Sequence, residues 1–505
     1  MSELVPIKRW AKVLDQTKCI GCHACSTACK SENAVPVGVN RTYVKAVEVG
    51  TFPTLRRAFQ VTRCNQCEGA PCTVACPTRA MYRRRDGIVD FDKSICIGCK
   101  ACIAACPYDA IFINPEDHSA EKCNMCSHRI DVGLEPACVT VCPTNAIIVG
   151  DLDDPSSAVS RIVNRDVVAV RRPEKETHPK VFYKGAHQAT LDPLAARRPD
   201  GGLYMWSEQP RVPHGVTAGH PEYANTSSAA LLAYDVAHRA PWDWRVSLYT
   251  WTKSISAGVY LVGLLLLALG AIEPGGTLWR WAVPVTAGAF LGLTGIVLIA
   301  DLDHPERFYL IFTRHHGKSW LVRGAFIIAG YGAVLAAHFV ASLLGEHRAS
   351  AWLGIAGGPL AAMTAIYTAF LFAQAKARDL WQSPLLPPHL IVQAVMVGSA
   401  ALLLVESAVA VPHALVSWVL AIASAVHVLM VLGEITLTHG TAHARLASLE
   451  MTRGAYARVF WAGLVLAAIA VAAPWLPVVA PIAALLGVLA FEHAHVQAGQ
   501  SVPLA

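Results

Sequence analysis

The chain has 505 residues, a formal net charge of +6, 15% charged and 54% hydrophobic residues. All sixteen cysteines fall before residue 143, whereas long apolar runs begin only at about residue 246. This split excludes one uniform globular domain, and basic residues sited in loops between apolar runs give no case for nucleic-acid binding.

In chain order, Met1 to Lys12 has no apolar h-region and no arginine pair ahead of one, so no secretory signal is expected. Four cysteine runs follow: Cys19-x2-Cys22-x2-Cys25-x3-Cys29, Cys64-x2-Cys67-x4-Cys72-x3-Cys76-Pro77, Cys96-x2-Cys99-x2-Cys102-x3-Cys106-Pro107 and Cys123-x2-Cys126-x11-Cys138-x3-Cys142-Pro143. Sixteen thiolates are the ligand count of four 4Fe–4S cubes. A disulfide framework does not repeat this spacing with a trailing Cys-Pro, and a zinc site has no use for the third and fourth cysteines of each run. So many thiolate ligands also suit a reducing compartment.

The spacing predicts an α+β double-ferredoxin domain over residues 1–180. In such units the fourth cysteine of one run crosses to the cube of its partner run. Pairing the adjacent second and third runs gives the sets Cys64, Cys67, Cys72, Cys106 and Cys96, Cys99, Cys102, Cys76. The first and fourth runs then give Cys19, Cys22, Cys25, Cys142 and Cys123, Cys126, Cys138, Cys29. Residues 181–245 are rich in Pro, Gly, His and charge, with scattered aromatics such as Phe182, Tyr183, Tyr204 and Trp206. They read as an extended linker or a partner-wrapping segment.

Residues 246–495 predict an all-α polytopic membrane domain of eight transmembrane helices, at 246–272, 278–300, 320–344, 351–374, 388–410, 413–436, 455–473 and 475–492. Arg307, Arg314, Lys318, Arg323, Lys376, Arg378, Arg445, Arg453 and Arg458 fall at the 2–3, 4–5 and 6–7 connections, against only Arg280 and Arg348 on the other side. The positive-inside rule then predicts a multi-pass protein of the inner (cytoplasmic) membrane, with both termini and the iron–sulfur domain in the cytoplasm.

Ionisable groups within an apolar span call for a reason. Tyr249, Lys253, Asp301 and His304 are the candidate residues of a quinone pocket, where reduction of the ring takes two electrons and two protons. The competing reading has Lys253 reaching up to the headgroups and pairing with Asp301 as a structural ion pair. Asp303, Glu306 and Arg307 also suit an ordinary interfacial loop. Glu434 and His427 are open between a proton path and helix stitching, and with Glu406, His413 and His338 they would permit a redox-driven proton translocator. Glu492 and His493 close the last span. His338, His413 and His427 do not pair at one depth, so no haem is expected.

The cysteine runs over residues 12–150 resemble the four-cluster iron–sulfur subunit of molybdenum- or tungsten-bis-pterin oxidoreductases. The stretch Asp301-Leu302 through Pro305, Arg307 and Phe308, with Trp244 to Lys253, resembles the haem-free polysulfide-reductase-type membrane subunit. The resemblance implies a fusion of two usually separate subunits, four 4Fe–4S clusters, membrane menaquinone or ubiquinone, and a catalytic bis-pterin subunit in trans. The fusion and the cytoplasmic placement lead to the expectation of a formate-dehydrogenase-type complex. The alternative is a polysulfide-, thiosulfate- or sulfoxide-type reductase. The second and third runs, beside Arg83-Arg84-Arg85, are expected nearest the membrane.

Overall fold

A computed structural model describes residues 8–197, 230–236 and 238–504. Tyr204 and Trp206 lie outside the described residues.

The cysteine-bearing part is built on short strands: β1 Trp10–Asp15, β2 Thr42–Val49, β3 Arg56–Arg63, β4 Met81–Arg83, β5 Val89–Phe91, β6 Ile111–Ile113, β7 Ala120–Lys122, β8 Ile147–Asp151, β9 Val168–Ala169, β10 Val181–Lys184 and β11 Ala230–Tyr234. They form a sheet of order β8-β1-β10-β9, a second of order β11-β2-β3, and the hairpins β4-β5 and β6-β7. One hairpin follows the second cysteine run and the other follows the third. β1 precedes the first run, β8 follows the fourth, and the two strands pair antiparallel. That pairing brings the outer runs together around the inner two.

The expected boundary at residue 180 falls one residue before a strand. Val181 and Tyr183 are fully buried and alternate with the half-buried Phe182 and Lys184. That period of two places β10 beside β1 in parallel. The expected linker therefore contributes its first residues to the iron–sulfur domain's sheet, and its Ala230–Tyr234 stretch adds an edge strand to β2.

The membrane half contains α1 Trp244–Ala268, α2 Val283–Ala300, α3 Trp320–Leu343, α4 His347–Ala373, α5 Leu386–Leu404, α6 His413–Thr436, α7 Ala442–Thr452, α8 Ala457–Ala470 and α9 Val479–Ser501. Among the described residues, seven spans are long and apolar enough to cross a bilayer singly. The expected seventh span is instead α8, only 14 residues long, preceded by the unforeseen α7 and bent 74° from it. The pair makes an eighth crossing only as a broken span. α9 runs past its expected end at 492, because its polar last turns are buried: the side-chain amide of Gln500 bonds the Trp242 carbonyl at 2.5 Å.

The helices make two groups of four. In the first, α1 packs on α2 and α4, and α3 packs on both of these; in the second, α5, α6, α8 and α9 pack in a ring. The groups meet where α1 contacts α5 and α9. Gly258 of α1 and Gly398 of α5 set that crossing, since a Cβ on Gly258 would overlap the Ala394 carbonyl. Small residues let helix backbones approach closely in a membrane.

Candidate redox centres and the cavity beside them

The first and third runs share the local sequence Cys-Ile-Gly-Cys, and its backbone repeats. Gly21 and Gly98 have φ of 71° and 70°, and the residues after the second cysteine, His23 and Lys100, have φ of 60° and 59°. These left-handed turns fold the loop back so that its thiols converge.

The thiols gather into four groups, with the fourth cysteine of each run standing among those of its partner run. Cys29 faces Cys123, Cys126 and Cys138. Cys19 faces Cys142 and Cys22, with Cys25 beside it. Cys67 and Cys72 both face Cys64 and Cys106. Cys102 faces Cys76, Cys96 and Cys99. The groups also have an order. Cys25 neighbours Cys138, the Gln66 amide bonds the Cys123 carbonyl at 2.8 Å, and Cys102 neighbours Cys72. The Cys19 group thus stands at one end, with the exposed Cys22, and the Cys96 group at the other.

A cube needs both space and donors to its thiolates. All four cysteines of the Cys96 group line one cavity, and all four of the Cys19 group line another. Backbone N–H groups of Met81, Ala120 and Ala146 point at Cys76, Cys96 and Cys142 Sγ over 3.2–3.4 Å, the donors a cluster thiolate takes. Burial pushes the thiols of Cys29, Cys67 and Cys106 up to about 12, so a free thiol there keeps its proton until a metal replaces it. Burial raises Cys138 too, but Lys12 and Arg63 outweigh it and bring the thiol down to about 7. Among the described residues no three His, Cys, Asp or Glu side chains converge on one metal ion. Four thiols that each bind a separate iron of a cube need no such convergence. The donor sets fit 4Fe–4S cubes.

The Cys96 group is clamped to the membrane half by the loop between α2 and α3. The Arg307 guanidinium donates to the carbonyls of Lys93 and Cys96, both at 3.0 Å. Lys100 donates to the Asp301 carbonyl at 3.0 Å and pairs with Asp303 at 3.1 Å. The His316 amide and the Ser319 hydroxyl reach the carbonyls of Pro77 and Ala75. A Cβ on Gly98 would meet Asp303 at 2.5 Å, so glycine is required for this approach. Within the basic run Arg83-Arg84-Arg85, Arg84 pairs with Asp131 and Asp86 on the iron–sulfur domain itself.

Next to this group lies a cavity of about 210 Å³, lined by Cys99, Trp242, Tyr249, Asp301, Phe308, Tyr367 and apolar side chains of α2 and α3. The Trp242 indole donates to the Cys99 carbonyl at 3.3 Å. Burial lifts the Asp301 carboxyl to about 6 against the pull of Lys100. Tyr249 and Asp301 therefore come together, whereas Lys253 and His304 do not line this cavity. His304 sits in the clamping loop, bonded to the Asp117 carbonyl at 2.8 Å and to Glu306 at 3.0 Å.

Lys253 neither reaches the headgroups nor pairs with Asp301. It is 0% exposed; its ammonium donates to the Ala365 carbonyl at 2.5 Å and lies 5.4 Å from the Tyr367 ring centre. It is nine residues into α1, about 14 Å below the helix end at 1.5 Å per residue, whereas Asp301 caps α2 at its rim. The acid that faces Lys253 is Glu492. One further contact was not foreseen: His389 Nε2 lies 2.8 Å from His427 Nδ1, joining α5 to α6. The only sequence signal was a histidine three residues into a long apolar run. His413 pairs with Glu406 at 2.7 Å at the other end of these helices, and His338 is buried against Trp279 and Tyr260.

Comparison with known proteins matches residues 234–502 to the family described as Polysulphide reductase, NrfD, and residues 55–152 to a 4Fe-4S dicluster domain. A tetrathionate reductase subunit of Salmonella typhimurium is 40% identical over 207 residues, covering 40% of this chain and 82% of that protein. A polysulfide reductase polypeptide of Wolinella succinogenes is 41% identical over 178 residues, 35% of this chain and 93% of that protein. The arsenate respiratory reductase iron-sulfur subunit ArrB of a Shewanella species is 35% identical over 223 residues, covering 95% of that subunit.

Proposed function

This protein belongs to the Polysulphide reductase, NrfD family, and from that premise we propose that it links a bis-pterin catalytic partner to membrane quinone. It is an electron-transfer iron–sulfur and membrane subunit in one chain, related to the iron–sulfur subunits of polysulfide, tetrathionate and arsenate reductases. The four cysteine groups hold four 4Fe–4S clusters, which when bound carry single electrons. The polypeptide spaces them in the order Cys19, Cys123, Cys64 and Cys96 groups, and tunes them through burial, N–H donors and the Lys12 and Arg63 charges. A molybdenum or tungsten bis-pterin subunit docks at the exposed Cys19 end. Menaquinone or ubiquinone, as substrate, occupies the cavity at the Cys96 end, with the Tyr249 hydroxyl and Asp301 as its polar contacts. The exposed apolar Ile299, Phe308 and Phe312 at the cavity edge give it access from the bilayer. Positive-inside logic puts the iron–sulfur domain on the cytoplasmic face of the inner membrane.

One observation carries this reading: Cys99, a cysteine of the last group, lines the same apolar cavity as Tyr249 and Asp301. The relatives named above act, by their names, on tetrathionate, polysulfide and arsenate. They favour an oxyanion or sulfur-compound reductase for the partner over the formate-dehydrogenase type that the fusion suggested.

The test is direct. Leu298 lines the cavity, and Leu298→Trp fills it. In the cluster-loaded full chain, chemically reduced in liposomes, this variant should slow cluster reoxidation by added quinone about tenfold, equivalent to roughly 1.4 kcal/mol. Reoxidation by ferricyanide should not change. Wild-type kinetics with quinone would overturn the site.

A further inference from the structure

A second large cavity opens on the iron–sulfur side, in the other half of the bundle. It holds about 600 Å³, and its rim includes the exposed Glu174, Lys376, Gln382 and Thr438. His389 and Glu434 lie among its lining residues. The charged and polar rim of this vestibule admits water into a region where the surrounding helices are apolar.

His389 is only 3% exposed and is the first of a series of buried polar groups. It faces His427 and His495. Nε2 of His427 and both ring nitrogens of His495 have no protein partner. His495 lies one turn from Glu492 on α9, where residues three apart are neighbours. Glu492 is 4% exposed and faces Lys253. Lys253 lies over Tyr367, and Tyr367 lines the cavity beside Cys99. Tyr249, which lines that cavity too, is one turn before Lys253 on α1.

Five side chains from α1, α4, α5 and α9 thus lie in series between the two cavities, with the Phe491 ring packed 5.3 Å from His389 and 5.7 Å from His495. An unpartnered nitrogen in a protein interior is costly, and so is a lysine and glutamate pair sunk about 14 Å into a helix bundle by the 1.5 Å rise per residue. Packing alone gives no reason for a titratable group at every step, since an apolar side chain would fill each position more cheaply. Bound water between the unpartnered nitrogens would satisfy them and complete the series.

We propose that this series is the route by which protons from the iron–sulfur side reach the quinone cavity: vestibule, His389, His495, Glu492, Lys253, Tyr367. It rests on the reading of that cavity as the quinone site. Reduction of one quinone takes two electrons from the iron–sulfur side and two protons, forming an O–H bond at each ring oxygen. Each proton that leaves the Lys253–Glu492 pair toward the cavity is replaced from the vestibule, and quinol oxidation runs the same route backwards. His427, whose free nitrogen faces away from His389, holds the His389 ring in place.

The experiment uses the cluster-loaded full chain in vesicles with the iron–sulfur domain outward, a pH dye on each side, and ubiquinone-1 as acceptor. His389→Ala should slow quinone-dependent cluster reoxidation about tenfold, leaving ubiquinone-1 affinity and ferricyanide reoxidation unchanged. Added imidazole, diffusing into the vestibule, should restore the rate. Glu492→Gln should slow the same step without rescue by imidazole, and His413→Ala, at the opposite end, should behave as wild type. Protons should disappear from the outer medium at one per electron. Unchanged quinone kinetics in His389→Ala, no rescue by imidazole, or proton uptake from the lumen would overturn the route. Failure of the quinone site itself would show separately, as unchanged kinetics in Leu298→Trp.

Discussion

At the scale of single residues, charge placed beside a thiol group has a readable consequence. Arg63 is 1% exposed, donates to Cys138 Sγ at 3.2 Å, and also faces Cys123 and Cys25. A fixed positive charge favours the more reduced, more negative state of a cluster. Arg63→Gln should therefore lower the midpoint potential of one cluster in a redox titration followed by EPR, and leave the Cys96 group's cluster unmoved. The cysteine runs stand out in the sequence by spacings of two to four residues, apart from the eleven between Cys126 and Cys138, whereas which runs come together depends on strand pairing. Lys253 was legible only as an anomaly. Its depth follows from where α1 starts, and its partner Glu492 lies on the last helix, so no local pattern joins them. His389 was invisible for the same reason: its meaning depends on a cavity formed by three separate connections.

At the scale of elements, two predictions follow from how pieces meet. The α1–α5 crossing has no room for a side chain at Gly258, so Gly258→Leu should push the two helix groups apart and lower the melting temperature of the purified chain, whereas the same change at Gly292, which has open space around it, should cost far less. The segment leading into α1 is held by His238, which bonds Asp109 at 2.5 Å and Asp235 at 3.2 Å. Burial works against its charge, but Asp235 and Asp109 outweigh burial and hold the imidazolium up to about 10. A raised value means that this contribution is complete below the unfolded value of about 6.5 and fades as pH climbs toward about 10. Thermal unfolding should accordingly lose stability over that window, and His238→Gln should flatten the profile. A slope that survives the substitution would assign it to other groups. Helix positions were legible from hydropathy, since each long span is apolar on average despite single buried polar groups. The α7–α8 bend was not, because residues 442–452 carry too many polar groups to register as membrane helix, and they are buried by tertiary contact instead. β10 was missed because its four residues sit at the edge of a stretch rich in turn formers.

At the scale of the whole molecule, the two halves are joined by far more than a linker. Arg307, Lys100, His316 and Ser319 bond across the junction, and almost all of these bonds go to backbone atoms. Backbone contacts fix distance without depending on side chains of the other half, which suits a junction whose task is to hold the Cys96 group at a constant distance from the adjacent cavity. Arg307→Ala should loosen this junction: quinone-dependent reoxidation should fall, while the iron content stays at the wild-type value. The stretch Asp301 to Phe308 was visible in the sequence, where Asp301 and His304 read as pocket residues and Asp303, Glu306 and Arg307 as an interfacial loop. In the structure it is chiefly a clamp, with Asp301 and Phe308 facing the cavity and His304 and Arg307 facing the iron–sulfur domain.

If the Cys96 group is the last redox centre before the quinone cavity, Cys99→Ser should break the step to quinone. Iron analysis and EPR of the loaded protein should show one cluster lost or converted and at least three retained. Reoxidation by quinone should collapse, and reoxidation by ferricyanide through the remaining centres should persist. An unchanged iron count with wild-type quinone kinetics would contradict both the ligand set and its place at the end of the series of centres.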